Sequence, residues 1–369
     1  MFSSDLLYQI ALTLVPKIGA VHAKILVEHF GSATAVFSAK RSSLEKIEGI
    51  GLYRAKSIKN FQLFSRAEQE IRFLDQYKVE PLFLTDKRYP RRLLNCYDSP
   101  VLLYYKGIAD LNHERIIALI GTRLNTEYGK LMVDNIIRDL ASHNIIVVSG
   151  LAFGIDALAH RAALKYRLPT IGVLGHGLDN MYPQEHIRLA REMSKEGGLL
   201  TEFKTNTKPD KHNFPIRNRI VAGMSDCTIV VETGIKGGSM ITADLANGYH
   251  KDVFAYPGKT TDQKSTGCNE LIKTNKAMLL TDAEQLLTMM GWNSRSKESK
   301  RITVQKEFFP TLTEPERKIV DILSEKSLVH IDEIHGRSNL SAGTIAGVIL
   351  NLELKGVIGN LPGKIYRLI

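Results

Sequence analysis

Between residues 116 and 255 the chain alternates two patterns. Short unbroken apolar runs (116–120, 145–148, 170–174, 199–200, 227–231 and 252–255) are separated by stretches such as 128–142 and 157–166, whose apolar residues recur at helical spacing. An apolar run of four or five residues without polar alternation predicts a strand buried on both faces. Such strands alternating with helices predict a parallel sheet covered on both sides, an α/β fold. Most of the runs end in loops rich in Gly, Ser or Thr: Gly121-Thr122-Arg123, Ser149-Gly150-Leu151-Ala152, Gly175-His176-Gly177 and Gly234-Ile235-Lys236-Gly237-Gly238-Ser239. Loops that follow parallel strands gather at one sheet edge, where ligands bind.

The flanks follow other rules. Residues 1–80 have helical spacing and two related phrases, Val15-Pro16-Lys17-Ile18-Gly19 and Ile47-Glu48-Gly49-Ile50-Gly51, each just ahead of a predicted helix. Glycine at such a turn lets a phosphate approach free helix N–H groups, as in helix-hairpin-helix modules; a compact packing unit that touches no DNA has the same pattern. Residues 81–111 read as a connector with one strand in Ser99-Pro100-Val101-Leu102-Leu103-Tyr104-Tyr105-Lys106-Gly107. Residues 291–310 are polar and charged without apolar period, a linker. Residues 311–369 predict three helices and a β-hairpin, a winged helix. The first helix is capped by Thr313 with Pro315 and Glu316 in its first turn, the second begins around Val329-His330-Ile331, and the third is capped by Ser341.

Charge and composition narrow the function. The 369 residues carry a net charge of +10, which favours a polyanionic partner or an anionic membrane surface. Three scattered cysteines with no CxxC pair fit a reducing compartment and neither a disulfide framework nor a zinc site. No basic n-region opens the chain and no run of 18 apolar residues occurs, so the expectation is a cytoplasmic protein without a membrane span. There is no GxxxxGK[ST], HExxH or GxSxG phrase, which removes the usual signatures of P-loop hydrolysis, zinc proteolysis and the serine elbow.

The densest chemistry lies in Lys211-His212-Asn213-Phe214-Pro215-Ile216-Arg217-Asn218-Arg219. Cations match phosphates and an aromatic face stacks on a base, so this stretch predicts one wall of a nucleic-acid site. Arg123, beside a strand end and a glycine, is a candidate anion contact, with a salt bridge as the plainer alternative. In Lys236-Gly237-Gly238-Ser239 the glycines allow close backbone approach and Ser239 can cap the next helix. Gly121, Thr122, Ser149 and Gly150 complete the candidate edge. His176 reads as a loop hydrogen-bonder, His212 as a phosphate contact or plain surface. Asp156 reads as a helix cap or a partner for a cation such as Arg217.

Taken together these motifs resemble the DNA-processing protein A family, also called DprA or Smf. The likeness rests on Gly121-Thr122-Arg123, Ser149-Gly150-Leu151-Ala152-Phe153-Gly154-Ile155-Asp156, Leu174-Gly175-His176-Gly177 with Tyr182-Pro183, Phe214-Pro215-Ile216-Arg217-Asn218-Arg219, Gly238-Ser239-Met240-Ile241-Thr242 and Gly267-Cys268-Asn269, all in family order. The resemblance implies an N-terminal helical SAM-like domain (1–80), an extended Rossmann-like domain (81–290), the linker (291–310) and a winged-helix domain (311–369). It further implies single-stranded DNA binding and protection, loading of RecA recombinase during natural transformation, a homodimer through the Rossmann-like domain, no cofactor and no catalytic turnover. By motif position the DNA pocket falls on Arg123, Lys211, Phe214, Arg217, Asn218, Arg219 and the Gly237-Gly238-Ser239 loop. Two features depart from the pattern. His186 replaces an expected Asn after Tyr182-Pro183, and the third helix of the tail carries only Lys355 beside Glu353, which suits protein contact at least as well as duplex reading. An alternative class is a phosphoribohydrolase-like enzyme acting on nucleoside monophosphates, with Asp244 as its acid; the phrase 237–244 lacks that class's internal Gly-Thr and has Asp in place of Glu.

Overall fold

Among the described residues six helices come first: α1 (Leu6–Leu14), α2 (Ala20–Phe30), α3 (Ala33–Ser38), α4 (Arg41–Glu45), α5 (Gly51–Lys59) and α6 (Phe64–Tyr77). The computed structural model describes residues 5–293, 312–326, 328–361 and 363–368. The two related phrases become neighbouring turns ahead of α2 and α5. Arg54 of α5 ties them together, donating from Nε to the Lys17 carbonyl at 3.2 Å and from Nη1 to the Gly49 carbonyl at 3.0 Å.

The sheet follows, with strands β1 (Glu80–Phe83), β2 (Leu102–Gly107), β3 (Ile116–Ile120), β4 (Ile146–Ser149), β5 (Thr170–Val173), β6 (Gly198–Thr201), β7 (Cys227–Val230), β8 (Asp252–Ala255) and β9 (Met278–Leu279). Their order is β1-β2-β6-β5-β4-β3-β7-β8-β9. From β6 to β9 all pairings are parallel, while β1–β2 and β2–β6 are antiparallel. The connector strand therefore belongs to the main sheet, which is mixed rather than purely parallel. β1, with Pro81, is an edge strand, where a missing N–H is tolerated.

Each parallel strand supplies two cores, which is why its sequence shows no polar alternation. In β3, Ile116, Ala118 and Ile120 join one apolar layer, while Ile117 and Leu119 join the other. The first layer is covered by α7 (Arg91–Leu94), α11 (Asn213–Gly223), α12 (Gly238–Gly248) and α13 (Thr266–Lys273). The second is covered by α8 (Glu127–Leu140), α9 (Ile155–Lys165) and α14 (Ala283–Met289), with α10 (Ile187–Glu196) beside α9 in a satellite cluster. On β2, Leu102 and Tyr104 face the N-terminal helices while Leu103 and Tyr105 face the sheet core. This shared strand joins helices and sheet in one compact unit that extends through Asn293. Trp292, placed at the start of the predicted linker, packs on the core of that unit and donates its N–H to the Leu287 carbonyl at 2.7 Å. The rest of the predicted linker, 294–310, lies outside the described residues.

The C-terminal unit has α15 (Glu314–Ser324), α16 (Ile331–Ser338), α17 (Ala342–Leu354) and a small antiparallel sheet of β10 (Val329–His330), β12 (Ile365–Leu368) and β11 (Ile358–Leu361). This is a winged helix. Val329 and His330 form a strand rather than the start of α16, because they pair with Tyr366 and Ile365; His330 then caps the helix through Nδ1. Lys355 is bound to Glu316 at 2.7 Å rather than to Glu353.

Candidate nucleic-acid interface

From Asn213 onward the basic stretch is helical, with Lys211 and His212 in the turn ahead of it. Asp210 starts it by accepting the N–H groups of His212 (Oδ1, 2.8 Å) and Asn213 (backbone oxygen, 3.0 Å). Pro215 is the third residue of α11, a position where no intrahelical N–H bond is lost. A helix turns by about 100° per residue, so neighbouring side chains separate. Phe214 and Arg217 share a face that looks at the sheet edge, whereas Arg219 points about 140° away from Phe214.

The two arginines accordingly have different surroundings. Arg217 is buried, and its Nη1 donates to the carbonyls of Gly150 and Val173 at the ends of β4 and β5. Burial pushes its pKa down to about 10, opposed by the nearby Asp156 carboxylate. Burial raises the Asp156 carboxyl above the ordinary aspartate value, opposed by Arg217 and by the Ala152 N–H bonded to it at 3.4 Å. Arg219 turns to the other side of α11, where it pairs with Glu202 and donates to the Asp98 carbonyl. Arg219 thus faces away from Phe214 and is held by Glu202, the residue that follows β6.

Above Arg217 the edge opens into a cleft lined by Arg123, Gly150, Phe153, Gly175, His176, Tyr182 and Phe214. Phe214 is half-buried and lies against the loop after β5; a Cβ on Gly175 would stand 3.0 Å from its ring. The Tyr182 ring is 6.0 Å from it at 41°. The exposed Arg123 guanidinium stands 5.3 Å from the Phe214 ring centroid, and among the described residues no carboxylate pairs with it. Arg123 is therefore a cation over an aromatic face. His176 is buried, with Nδ1 2.9 Å from the Gly177 carbonyl and Nε2 accepting the Tyr182 N–H at 3.3 Å, so it fixes the loop, as its sequence setting predicts. Beneath the cleft burial, with His186 and Arg217 nearby, pushes the His160 imidazole down to about 3. Phe153 and Tyr182, exposed by 41% and 43%, are wall residues that sequence reasoning did not single out. Each sits in a loop after a strand, the signal that would have found them.

Other predicted residues are spread along the same edge. Lys211, His212 and Lys236 are exposed. Asn218 accepts from Arg217 Nε at 3.1 Å. Ser149 Oγ is buried and donates to the Leu119 carbonyl at 2.6 Å. Ser239 does not cap α12; its hydroxyl donates to Thr233 Oγ1 at 2.7 Å inside the protein. The Gly237 N–H closes a turn onto the Gly234 carbonyl at 2.8 Å. The loop after β7 lies three strands from that after β5, about 15 Å along the edge.

Between these loops, at the strands β3 and β7 where the order reverses, the edge is closed. The Thr122 N–H, next to Gly121, donates to the Glu232 carbonyl at 2.7 Å. The buried Glu232 carboxylate accepts the Thr126 N–H at 2.9 Å and the Thr126 hydroxyl at 2.5 Å. It thereby occupies the N-terminus of α8, the position where such folds commonly hold a phosphate. A Cβ on Gly129, in the first turn of α8, would collide with this carboxylate.

Residues 80–291 match the model of the DNA recombination-mediator protein A family, 309–364 that of the DprA winged helix domain, and 9–70 a helix-hairpin-helix motif. Protein Smf of Synechocystis is 31% identical over 400 residues, spanning all of both chains. DNA processing protein DprA of Streptococcus pneumoniae is 40% identical over 213 residues, 58% of this chain and 75% of the relative. The X-ray structure of the Streptococcus pneumoniae protein superposes with a TM-score of 0.66 at 31% identity, covering 78% of this chain and 98% of the other. A Helicobacter pylori DNA processing protein A, whose structure is described by its single-stranded DNA binding mode, superposes with a TM-score of 0.53 at 30% identity, covering 58% and 95%.

Proposed function

Because the chain belongs to the DNA recombination-mediator protein A (DprA/Smf) family, we propose that it binds and protects single-stranded DNA at the β4–β5 edge and helps to load RecA recombinase during natural transformation, without catalytic turnover. The observation that carries this reading is the Arg123 guanidinium, without a carboxylate partner among the described residues, held over the face of Phe214. A cation beside a half-buried ring offers one phosphate and one base their natural partners, with little preference for sequence. Lys211 and Lys236 extend the positive edge to either side. Arg217 and Arg219 act from within, holding α11 against the sheet. The reading includes a cytoplasmic homodimer formed through the sheet domain; among the described residues no helix is long and apolar enough to cross a membrane.

The enzyme alternative is disfavoured by two observations. Glu232 fills the helix N-terminus that a nucleotide phosphate would use. Asp244, the candidate acid, is half-exposed and paired with Lys276 at 2.8 Å.

Gel shifts of oligo-dT against duplex across a salt series test the reading. Wild type prefers oligo-dT, and Arg123→Ala weakens it while lowering the slope of log K against log salt by about 0.7. Equal affinity and slope in the variant would remove Arg123 from the site. RecA assembly on oligo-dT, followed with and without the protein, tests loading. Free base released from nucleoside monophosphates would restore the enzyme reading.

A further inference from the structure

The loop that leads into α11 is fastened to the N-terminal helices at one residue, Thr205. Glu70 on α6 is buried and accepts the Thr205 N–H at 3.0 Å on Oε1 and the Thr205 hydroxyl at 2.6 Å on Oε2. Arg66, one turn earlier, donates from Nη2 to the Thr205 carbonyl at 2.7 Å and from Nη1 to Glu70 Oε2 at 3.0 Å. Every polar atom of Thr205 is therefore held by one helical turn. The next two residues are tied to the loop after β5: the Asn206 N–H donates to Asp179 Oδ2 at 2.9 Å, and the Thr207 carbonyl accepts the Gly177 N–H at 3.1 Å. Beyond them come the exposed Lys208 and Lys211, and then Phe214.

We propose that Arg66 and Glu70 are positioning residues for the DNA site. They touch no DNA themselves. By fixing Thr205 they pre-set the lysine run and the first turn of α11, so that DNA does not have to order this segment when it binds. A segment ordered beforehand binds more tightly without gaining a contact. This rests on the single-stranded DNA reading above and gives the N-terminal helices a part in it that needs no DNA contact of their own.

The test compares Glu70→Gln, Thr205→Val and Thr205→Ser in the full chain, with Arg123→Ala alongside. Oligo-dT affinity, its salt slope and hydrogen exchange over residues 204–213 are measured. Glu70→Gln and Thr205→Val are expected to bind roughly tenfold more weakly with an unchanged salt slope, since no phosphate contact is lost. Exchange over 204–213 rises in the free variants and is suppressed when oligo-dT is added. Thr205→Ser, which keeps the hydroxyl, behaves as wild type. Wild-type affinity or wild-type exchange in Thr205→Val overturns the positioning role, as does a lowered salt slope in either variant. If Arg123→Ala also keeps its affinity and slope, it is the DNA site itself that fails.

Discussion

The loops after β4 and β5 and those after β3 and β7 leave the same sheet edge with the same glycine-rich composition, and they end in opposite states. Over β4 and β5 the edge is open, with Phe153, Tyr182 and Phe214 as walls and Arg123 above. Over β3 and β7 it is shut by Glu232, whose carboxylate takes the helix N–H and hydroxyl that a phosphate would take. Glycine tells where a backbone can be approached; the side chains brought there decide what approaches. In one half of the edge a carboxylate of the protein has taken the anion's place. In the other a half-buried aromatic ring and an exposed guanidinium remain.

The strongest way to break this contrast is Arg217→Ala. The change leaves the buried Val173 carbonyl and the half-buried Gly150 carbonyl without the Arg217 donor and the buried Asp156 without its nearby cation, and is expected to destabilise the fold by about 3–5 kcal/mol, read as a lower urea midpoint. Wild-type stability combined with lost DNA binding would instead make Arg217 a direct phosphate contact. Next in size is Phe214→Ala, which removes the stacking face. A loss of about 1–3 kcal/mol in oligo-dT affinity with an unchanged salt slope is expected, measured by fluorescence anisotropy. A slope change with little loss of affinity would count against stacking. Smallest is Glu232→Gln on the closed half. It weakens the cap on α8, costing about 1–2 kcal/mol of stability, and leaves oligo-dT affinity within about twofold. Inorganic phosphate that raises the melting temperature of this variant but not of wild type would show that Glu232 occupies a phosphate position.

Much of the architecture is legible in local pattern. The run 116–120 announces a doubly buried strand because both of its faces are in fact covered, and Thr313, Pro315 and Glu316 announce the start of α15. The edge strand β1 is less visible: it is four residues long, contains a proline and is held by pairing with β2. Within the site, Phe214 and Arg123 are legible as residue types, but not the 5.3 Å approach of one to the other that α11 and the loop after β3 produce. The difference between Arg217 and Arg219 is not legible either, because a list of basic residues carries no direction. It appears only once α11 is a helix, and then a two-residue step is enough to send one guanidinium under the cleft and the other to Glu202.

The sequence by itself determined the alternation of strands and helices, the gathering of glycine loops at one edge, the positive charge and the family-ordered motifs, since each depends on near neighbours in the chain. The tertiary structure decided which half of that edge is open and what holds it. Glu232 reaches Thr126 across 106 residues, and Glu70 reaches Thr205 across 135. Neither pairing can be found from periodicity, because both depend on how the strands are ordered and which helix each crossover brings alongside.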